Sequence, residues 1–168
     1  MKQTLEIFNA LDFQTAKGKL LECCHSEKWA TAMADKRPYS SLPKLQEAGE
    51  KVWLALGETE WLEAMQAHPK IGDLTSLREK YANTKSMAAG EQSGLEGANE
   101  EILKELRNLN QSYEKEFGFI FIVCASGKSA NDMLEILKSR INNNRAQELL
   151  NSAKEQARIM KLRMEKLL

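Results

Sequence analysis

A single run of this chain reads as a β-strand. Phe119-Ile120-Phe121-Ile122-Val123-Cys124 is β-branched and aromatic, and no second run of that kind is present to pair with it. One extended segment cannot make a sheet. The run is therefore expected to be a buried connector whose backbone groups are satisfied by neighbours or by a ligand. The rest of the chain follows helical spacing or interrupts it. The expected fold is all-α, a single-domain multi-helix bundle over residues 1–168 with one short extended connector at 119–124.

The expected helices can be taken in order. Thr4 caps a short helix through Leu5, Ile7, Phe8 and Leu11, and Asp12 or Thr15 caps a second that runs to Cys23-Cys24-His25. Ser26 opens a third, which Pro38 closes. Pro43 suits the first turn of a fourth, whose apolar residues Leu45, Ala48, Val52, Trp53 and Leu56 keep helical spacing until Gly57. Thr59 begins the next, with Trp61, Leu62 and Met65 facing inward. Asp73 or Thr75 caps a further turn through Leu77 and Tyr81, residues 83–86 read as a loop, and Ser86 caps a short segment closed by Gly94. From Glu96 the residues Leu103, Leu106, Leu109 or Asn110, Tyr113 and Phe117 form one long stripe that ends at Gly118, a helix of about five turns or more. Ser129 and Asp132 resemble a capping box for a helix to about Asn142, and Asn144 starts the last helix.

Charge and cysteine usage narrow the partners. Twenty-four basic residues balance twenty-four acidic ones, which argues against a general electrostatic grip on nucleic acid or an anionic membrane. A small-molecule or protein partner fits better. The three cysteines include no C-x-x-C pair, so the thiols are expected to be reduced and intracellular. Residues 1–25 are interrupted by Lys2, Glu6, Asp12, Lys17, Lys19 and Glu22, so neither a secretory signal nor a membrane span is expected. The terminal Lys166-Leu167-Leu168 is not the Ser-Lys-Leu peroxisomal address. The expected location is the cytoplasm.

Two motifs that suggest chemistry fail on spacing. Ser126-Gly127-Lys128-Ser129 stands between the strand-like run and a helix, as a phosphate-binding loop does, but the glycine required five residues before Gly127 is Ile122. Cys23-Cys24-His25 lacks the spacers of a zinc site, and buried cysteine packing is the expected state. No metal site is expected.

Three other features remain. His68 precedes Pro69 at the end of an expected helix, where the backbone aims the imidazole and the helix dipole favours its protonated form. It reads either as a plain helix-end residue or as a group that gives and takes protons. The last helix carries an apolar seam of Ala146, Leu149, Ala153, Met160 and Leu167, and the same spacing puts Gln156 and Arg163 into it. A guanidinium there needs an internal ion pair, a route to solvent, or an anionic ligand. Glu91-Gln92, flanked by Gly90, Gly94 and Gly97, is either a surface helix end or a place where backbone approaches a ligand.

His68-Pro69-Lys70-Ile71-Gly72-Asp73 is followed by Glu91-Gln92-Ser93-Gly94-Leu95 and by Leu109-Asn110-x-x-Tyr113-x-x-x-Phe117-Gly118-Phe119-x-Phe121-x-Val123-Cys124-Ala125. Arg140-Ile141-Asn142 and Ile159-x-x-Leu162-Arg163 come after these. In these five ordered blocks, which span nearly the whole chain, the sequence resembles 2-oxo-4-hydroxy-4-carboxy-5-ureidoimidazoline (OHCU) decarboxylase, the enzyme of uric acid breakdown that yields (S)-allantoin. The resemblance implies an all-helical, cofactor-free homodimer. It implies catalytic roles for His68, Glu91 and Arg163, and substrate contacts from Pro69, Gln92 and Phe119, Ile120, Phe121 and Ile122. Two positions depart from the family's pattern: Ala88 stands where many members have a serine, and Ile120 where many have a proline. Ser86 or Ser93 can supply the missing hydroxyl. In the implied chemistry His68 accepts the substrate hydroxyl proton, Glu91 orients the imidazole or ring, Gln92 reads the ureide, and Arg163 holds an anionic or carbonyl oxygen of the substrate. The alternatives are a lyase or hydrolase acting on another cyclic ureide, and a helical interaction module without chemistry.

Overall fold

The computed structural model describes residues 4–68 and 96–168, with the side chains of the second stretch described from residue 100 onward. Among these residues there are eight α-helices and no strand. They are α1 (Leu5–Ala10), α2 (Phe13–Cys23), α3 (Glu27–Asp35), α4 (Leu42–Ala55), α5 (Glu58–Gln66), α6 (Glu96–Phe117), α7 (Ala130–Arg140) and α8 (Arg145–Leu167). The expected turns and caps between residues 69 and 95 lie outside the described residues. The chain divides into two units: residues 1–68 with 149–168, and residues 69–148. No described helix is long and apolar enough to cross a membrane.

In the first unit the helix starts are fixed by short side chains. Thr4 Oγ1 accepts from the Ile7 N–H at 3.3 Å, Asp12 Oδ1 from Thr15 at 3.0 Å, Ser26 Oγ from Trp29 at 3.4 Å and Ser41 Oγ from Lys44 at 3.3 Å. Each satisfies a donor that the first turn leaves without an intrahelical partner. The α4–α5 junction differs from the expectation. Leu56, in extended geometry, ends α4, and Gly57 stands at the cap position of α5, whose first residue, Glu58, lies one ahead of Thr59. A glycine has no side chain to cap with, so the Glu60 carboxylate reaches back and accepts the Gly57 N–H at 3.2 Å.

The core of this unit gathers Phe8, Leu20, Cys23, Cys24, Trp29, Met33, Leu45, Trp53, Met160 and Met164. Both buried indoles have partners for their N–H groups. Trp29 donates to the Gly49 carbonyl at 3.0 Å and Trp53 to the Ala153 carbonyl at 2.8 Å, so neither leaves a polar atom stranded. Gly49 permits a close approach: a Cβ there would stand 2.5 Å from the Met164 methyl, which would have to shift.

In the second unit α6 presents Leu103, Leu106, Tyr113 and Phe117 as its buried stripe and ends at Gly118, whose φ of 79° suits glycine. The extended connector then wraps the Tyr113 ring. Phe117, Phe121 and Phe119 lie 4.5, 5.3 and 6.0 Å from it, the last two edge-on. The connector's polar backbone is met by side chains: Arg140 Nη1 donates to the Ile122 carbonyl at 2.8 Å and Lys128 Nζ to that of Cys124 at 2.6 Å. The lysine of the phosphate-loop look-alike thus folds back on its own chain, and Ser129 is a helix cap paired reciprocally with Asp132. Behind the connector Glu148 is fully buried, accepting from Tyr113 Oη at 2.6 Å, Arg140 Nε at 2.8 Å and Asn143 Nδ2 at 3.0 Å.

Glu148 also corrects the expected seam of α8. Ala146 is exposed, because residues two apart face opposite sides of a helix and the first turn buries Glu148 instead. The apolar seam begins at Leu149.

Candidate active site

In the first unit α5 ends with the Ala67 N–H bonded to the Ala64 carbonyl at 3.3 Å and the His68 N–H to that of Met65 at 3.2 Å. These two bonds carry the chain one step past the helix and set His68 at its C-terminus. Its half-buried imidazole lines a cavity of about 180 Å³ with Leu21, Glu22, His25, Ala64, Ala67 and Arg163. The sequence places His68 and Arg163 almost a hundred residues apart, and the fold brings them to one cavity wall.

Arg163 projects from α8, half-buried, and its Nη1 donates to the Cys23 carbonyl at 3.3 Å. Among the described residues it forms no ion pair. One bond to a neutral carbonyl leaves most of its donors available to an anionic or carbonyl oxygen in the cavity.

His68 is held from the other side. Its Nε2 lies 2.5 Å from Oε1 of Gln156, a residue with no exposed surface. An amide oxygen can only accept, so in this contact Nε2 carries the hydrogen. The Gln156 Nε2 is buried without a formed hydrogen bond among the described residues. It stands near enough to the Cys24 thiol to favour the thiolate, against the larger opposing effect of burial, but not in hydrogen-bonding geometry. Sequence reasoning placed Gln156 in the apolar seam and gave it no role. The signal was its spacing, seven residues or two turns before Arg163 on the same stripe.

Cys23 and Cys24 do not converge with His25 into a ligand set: both thiols are buried while the His25 ring is exposed. Burial pushes the Cys23 pKa up to about 11, against the pull of the Arg163 charge, and that of Cys24 up to about 12. Neither is a thiolate at neutral pH, so neither is a nucleophile there. In native protein at pH 7.5 both are expected to resist maleimide, and to react once guanidinium exposes them, as mass spectrometry of labelled peptides reports. Because these folded pKa values lie above the unfolded ones, the associated stability is present below pH 9 and is lost as pH rises toward 11.

Of the other residues singled out in the sequence, Phe119, Ile120, Phe121 and Ile122 form the connector of the second unit. Phe119, Phe121 and Ile122 are buried there and Ile120 is half-buried. Pro69, Glu91 and Gln92 lie outside the described residues, as do Ser86, Ala88 and Ser93.

A model of the OHCU decarboxylase family matches residues 9–165. The chain is 36% identical over 145 residues to the uric acid degradation bifunctional protein TTL of Arabidopsis thaliana, an alignment that covers 86% of this chain and 45% of that protein. It is 24% identical over 165 residues to the 2-oxo-4-hydroxy-4-carboxy-5-ureidoimidazoline decarboxylase of Halalkalicoccus jeotgali, covering 98% and 91% of the two. The chain spans between 32% and 45% of the length of the bifunctional relatives it matches. A crystal structure of OHCU decarboxylase in the presence of (S)-allantoin superposes with a TM-score of 0.70 at 35% identity, over 89% of this chain and 96% of the other. With the family's pattern matched from residue 9 to residue 165 and its helical fold reproduced, the chain belongs to the OHCU decarboxylase family.

Proposed function

We propose that this chain catalyses the cofactor-independent decarboxylation of 2-oxo-4-hydroxy-4-carboxy-5-ureidoimidazoline to (S)-allantoin and carbon dioxide in uric acid degradation. The observation that carries the reading is that His68 and Arg163 share one cavity and that no described carboxylate neutralises Arg163. An interaction module without chemistry has no use for a proton-transfer group and an available cation side by side in a cavity. The relative solved with (S)-allantoin supports the same reading.

The substrate bears its carboxylate and a hydroxyl on one ring carbon, beside a C=N carbon that carries the ureido group. When the bond to the carboxylate breaks, its electron pair moves into the adjacent C=N and carbon dioxide leaves. The sink lies within the substrate, so no external electron acceptor is needed. The ring nitrogen takes a proton, and the remaining enol loses its hydroxyl proton and gains one at the ureido carbon, on one face. In this proposal His68 accepts the hydroxyl proton, with Glu91 orienting the imidazole or the substrate ring. Arg163 holds a carboxylate or carbonyl oxygen and stabilises charge as it develops there. Pro69, Gln92 and the Phe119–Ile122 backbone bind and read the ureide, as the resemblance implies.

The proposal further takes residues 1–168 to act as one domain, in a cytoplasmic homodimer. The family pattern running unbroken over residues 9–165 supports the first part. Sedimentation velocity on the purified chain tests the dimer, and a purely monomeric species at micromolar concentration rejects it.

The activity itself is tested by supplying freshly generated ureidoimidazoline and following the optical activity of allantoin. Formation of the (S)-enantiomer faster than spontaneous decay is expected, and decay at the uncatalysed rate rejects the reading. Arg163→Lys keeps the charge but loses the planar fork, and its kcat/KM is expected to fall about tenfold, the equivalent of about 1.4 kcal/mol. Steady-state kinetics would show this, and unchanged kinetics would remove Arg163 from the substrate's contacts.

A further inference from the structure

Gln156 is out of place by the ordinary logic of a helix seam. Its neighbours on the buried face of α8 are Ser152, Ala153, Ala157, Met160 and Met164, and a leucine or methionine would fill the same space without a polar atom to satisfy. The amide is nonetheless fully buried, its oxygen is committed to His68 Nε2 at 2.5 Å, and its nitrogen is left without a formed hydrogen bond among the described residues. A buried amide satisfied at one end only is a cost to stability, and what it secures is the orientation of an imidazole.

We propose that Gln156 is a positioning residue: its carbonyl accepts the Nε2 hydrogen of His68, fixes the ring and its tautomer, and makes Nδ1 the nitrogen through which the substrate proton is exchanged. This rests on the decarboxylase reading of His68. The proton taken from the substrate hydroxyl arrives at Nδ1, directly or through a group bonded to it. The resulting imidazolium keeps its Nε2 hydrogen on the Gln156 oxygen, and Nδ1 releases the proton later. The neutral amide matters as much as the contact. A carboxylate in its place would hold the imidazolium more tightly and delay release of the proton, whereas an amide orients without adding charge.

Among the described residues the charged and titratable groups around this pair are Arg163 on α8, Glu22 on α2, His25 just past its end, Glu63 on α5 and the Cys24 thiol. None of them replaces the Gln156 oxygen at Nε2. The pair is therefore separable by substitution at residue 156 alone.

Nitrogen-15 spectra of histidine-labelled protein, at a pH where the rings are neutral, test the contact without activity. The chain has two histidines, and loss of one signal in His68→Asn assigns them. His68 is expected as the Nε2–H tautomer in the wild type, and as a mixture of tautomers in Gln156→Leu, whose kcat is expected to fall about tenfold with KM within about twofold. In Gln156→Glu the acidic limb of the kcat/KM profile is expected to move up by about one pH unit, since His68 must be neutral to accept a proton. An Nδ1–H tautomer in the wild type, or a tautomer and an acidic limb that neither variant changes, would overturn the proposal. If Gln156→Leu fails to fold, the wild-type spectrum and the Gln156→Glu profile decide. If His68→Ala instead keeps full activity, the catalytic reading of His68 falls, and the wild-type tautomer still reports whether Gln156 holds the ring.

Discussion

His68→Ala is expected to lower kcat for formation of (S)-allantoin by about 10²–10⁴-fold, the range a positioned proton-transfer group contributes. The substitution removes the only imidazole bonded to Gln156 and leaves the α5 terminus intact, because its closing bonds use backbone groups of Ala64 and Met65. KM is expected to change little, since Arg163 remains in the cavity to hold a substrate oxygen. The thermal midpoint should stay close to that of the wild type. Stopped-flow measurement of carbon dioxide release, alongside optical rotation of the product, separates loss of chemistry from loss of stereocontrol. Equal rates of (S)-allantoin formation by both proteins would end the assignment of His68 as the proton-transfer group.

The largest effect on stability is expected in the second unit. Glu148→Ala removes the buried carboxylate that pairs with the Arg140 guanidinium, and taking one partner from a buried pair costs about 3–5 kcal/mol. Tyr113 Oη and Asn143 Nδ2 lose their acceptor at the same time. A double variant, Arg140→Met with Glu148→Leu, removes both charges and is expected to recover most of that loss, though the Ile122 carbonyl then lacks the Arg140 donor. Urea unfolding of the two variants and the wild type measures the difference. If the double variant is as unstable as Glu148→Ala, the stabilisation comes from the hydrogen bonds to Tyr113, Asn143 and Ile122 rather than from charge pairing. Arg140 also stacks over the Phe121 ring at 4.8 Å, so the connector is gripped by its backbone and by a ring.

The legible and illegible parts of the chain divide along a physical line. Thr4, Asp12, Ser26, Ser129 and Asn144 act as helix caps where the sequence places them, because a cap bonds within three residues and needs nothing from elsewhere. Gly57 and Ala146 depart from expectation for the opposite reason. Gly57 opens a helix because Glu60, paired with Lys28 through Oε1, reaches back through Oε2, and Ala146 is turned outward by the burial of Glu148. Apolar spacing cannot anticipate a glutamate on the buried face. Its partners Tyr113 and Arg140 come from two other helices.

What the sequence by itself determined is the all-helical fold, the extended connector at 119–124 and the positions where chemistry can stand. Helical periodicity and capping are local, and a lone β-branched run has nothing to pair with. Arg163 and Gln156 were visible as polar residues in an apolar seam, and His68 as an imidazole aimed by a helix end. Tertiary structure alone decided which of these groups meet. It placed Arg163 against the Cys23 carbonyl, 140 residues away in the chain, and set the His68 ring on Gln156, 88 residues away. Such contacts depend on which helix faces pack together, and that is fixed by the whole core, with Trp53 reaching the Ala153 carbonyl and Met164 filling the space over Gly49.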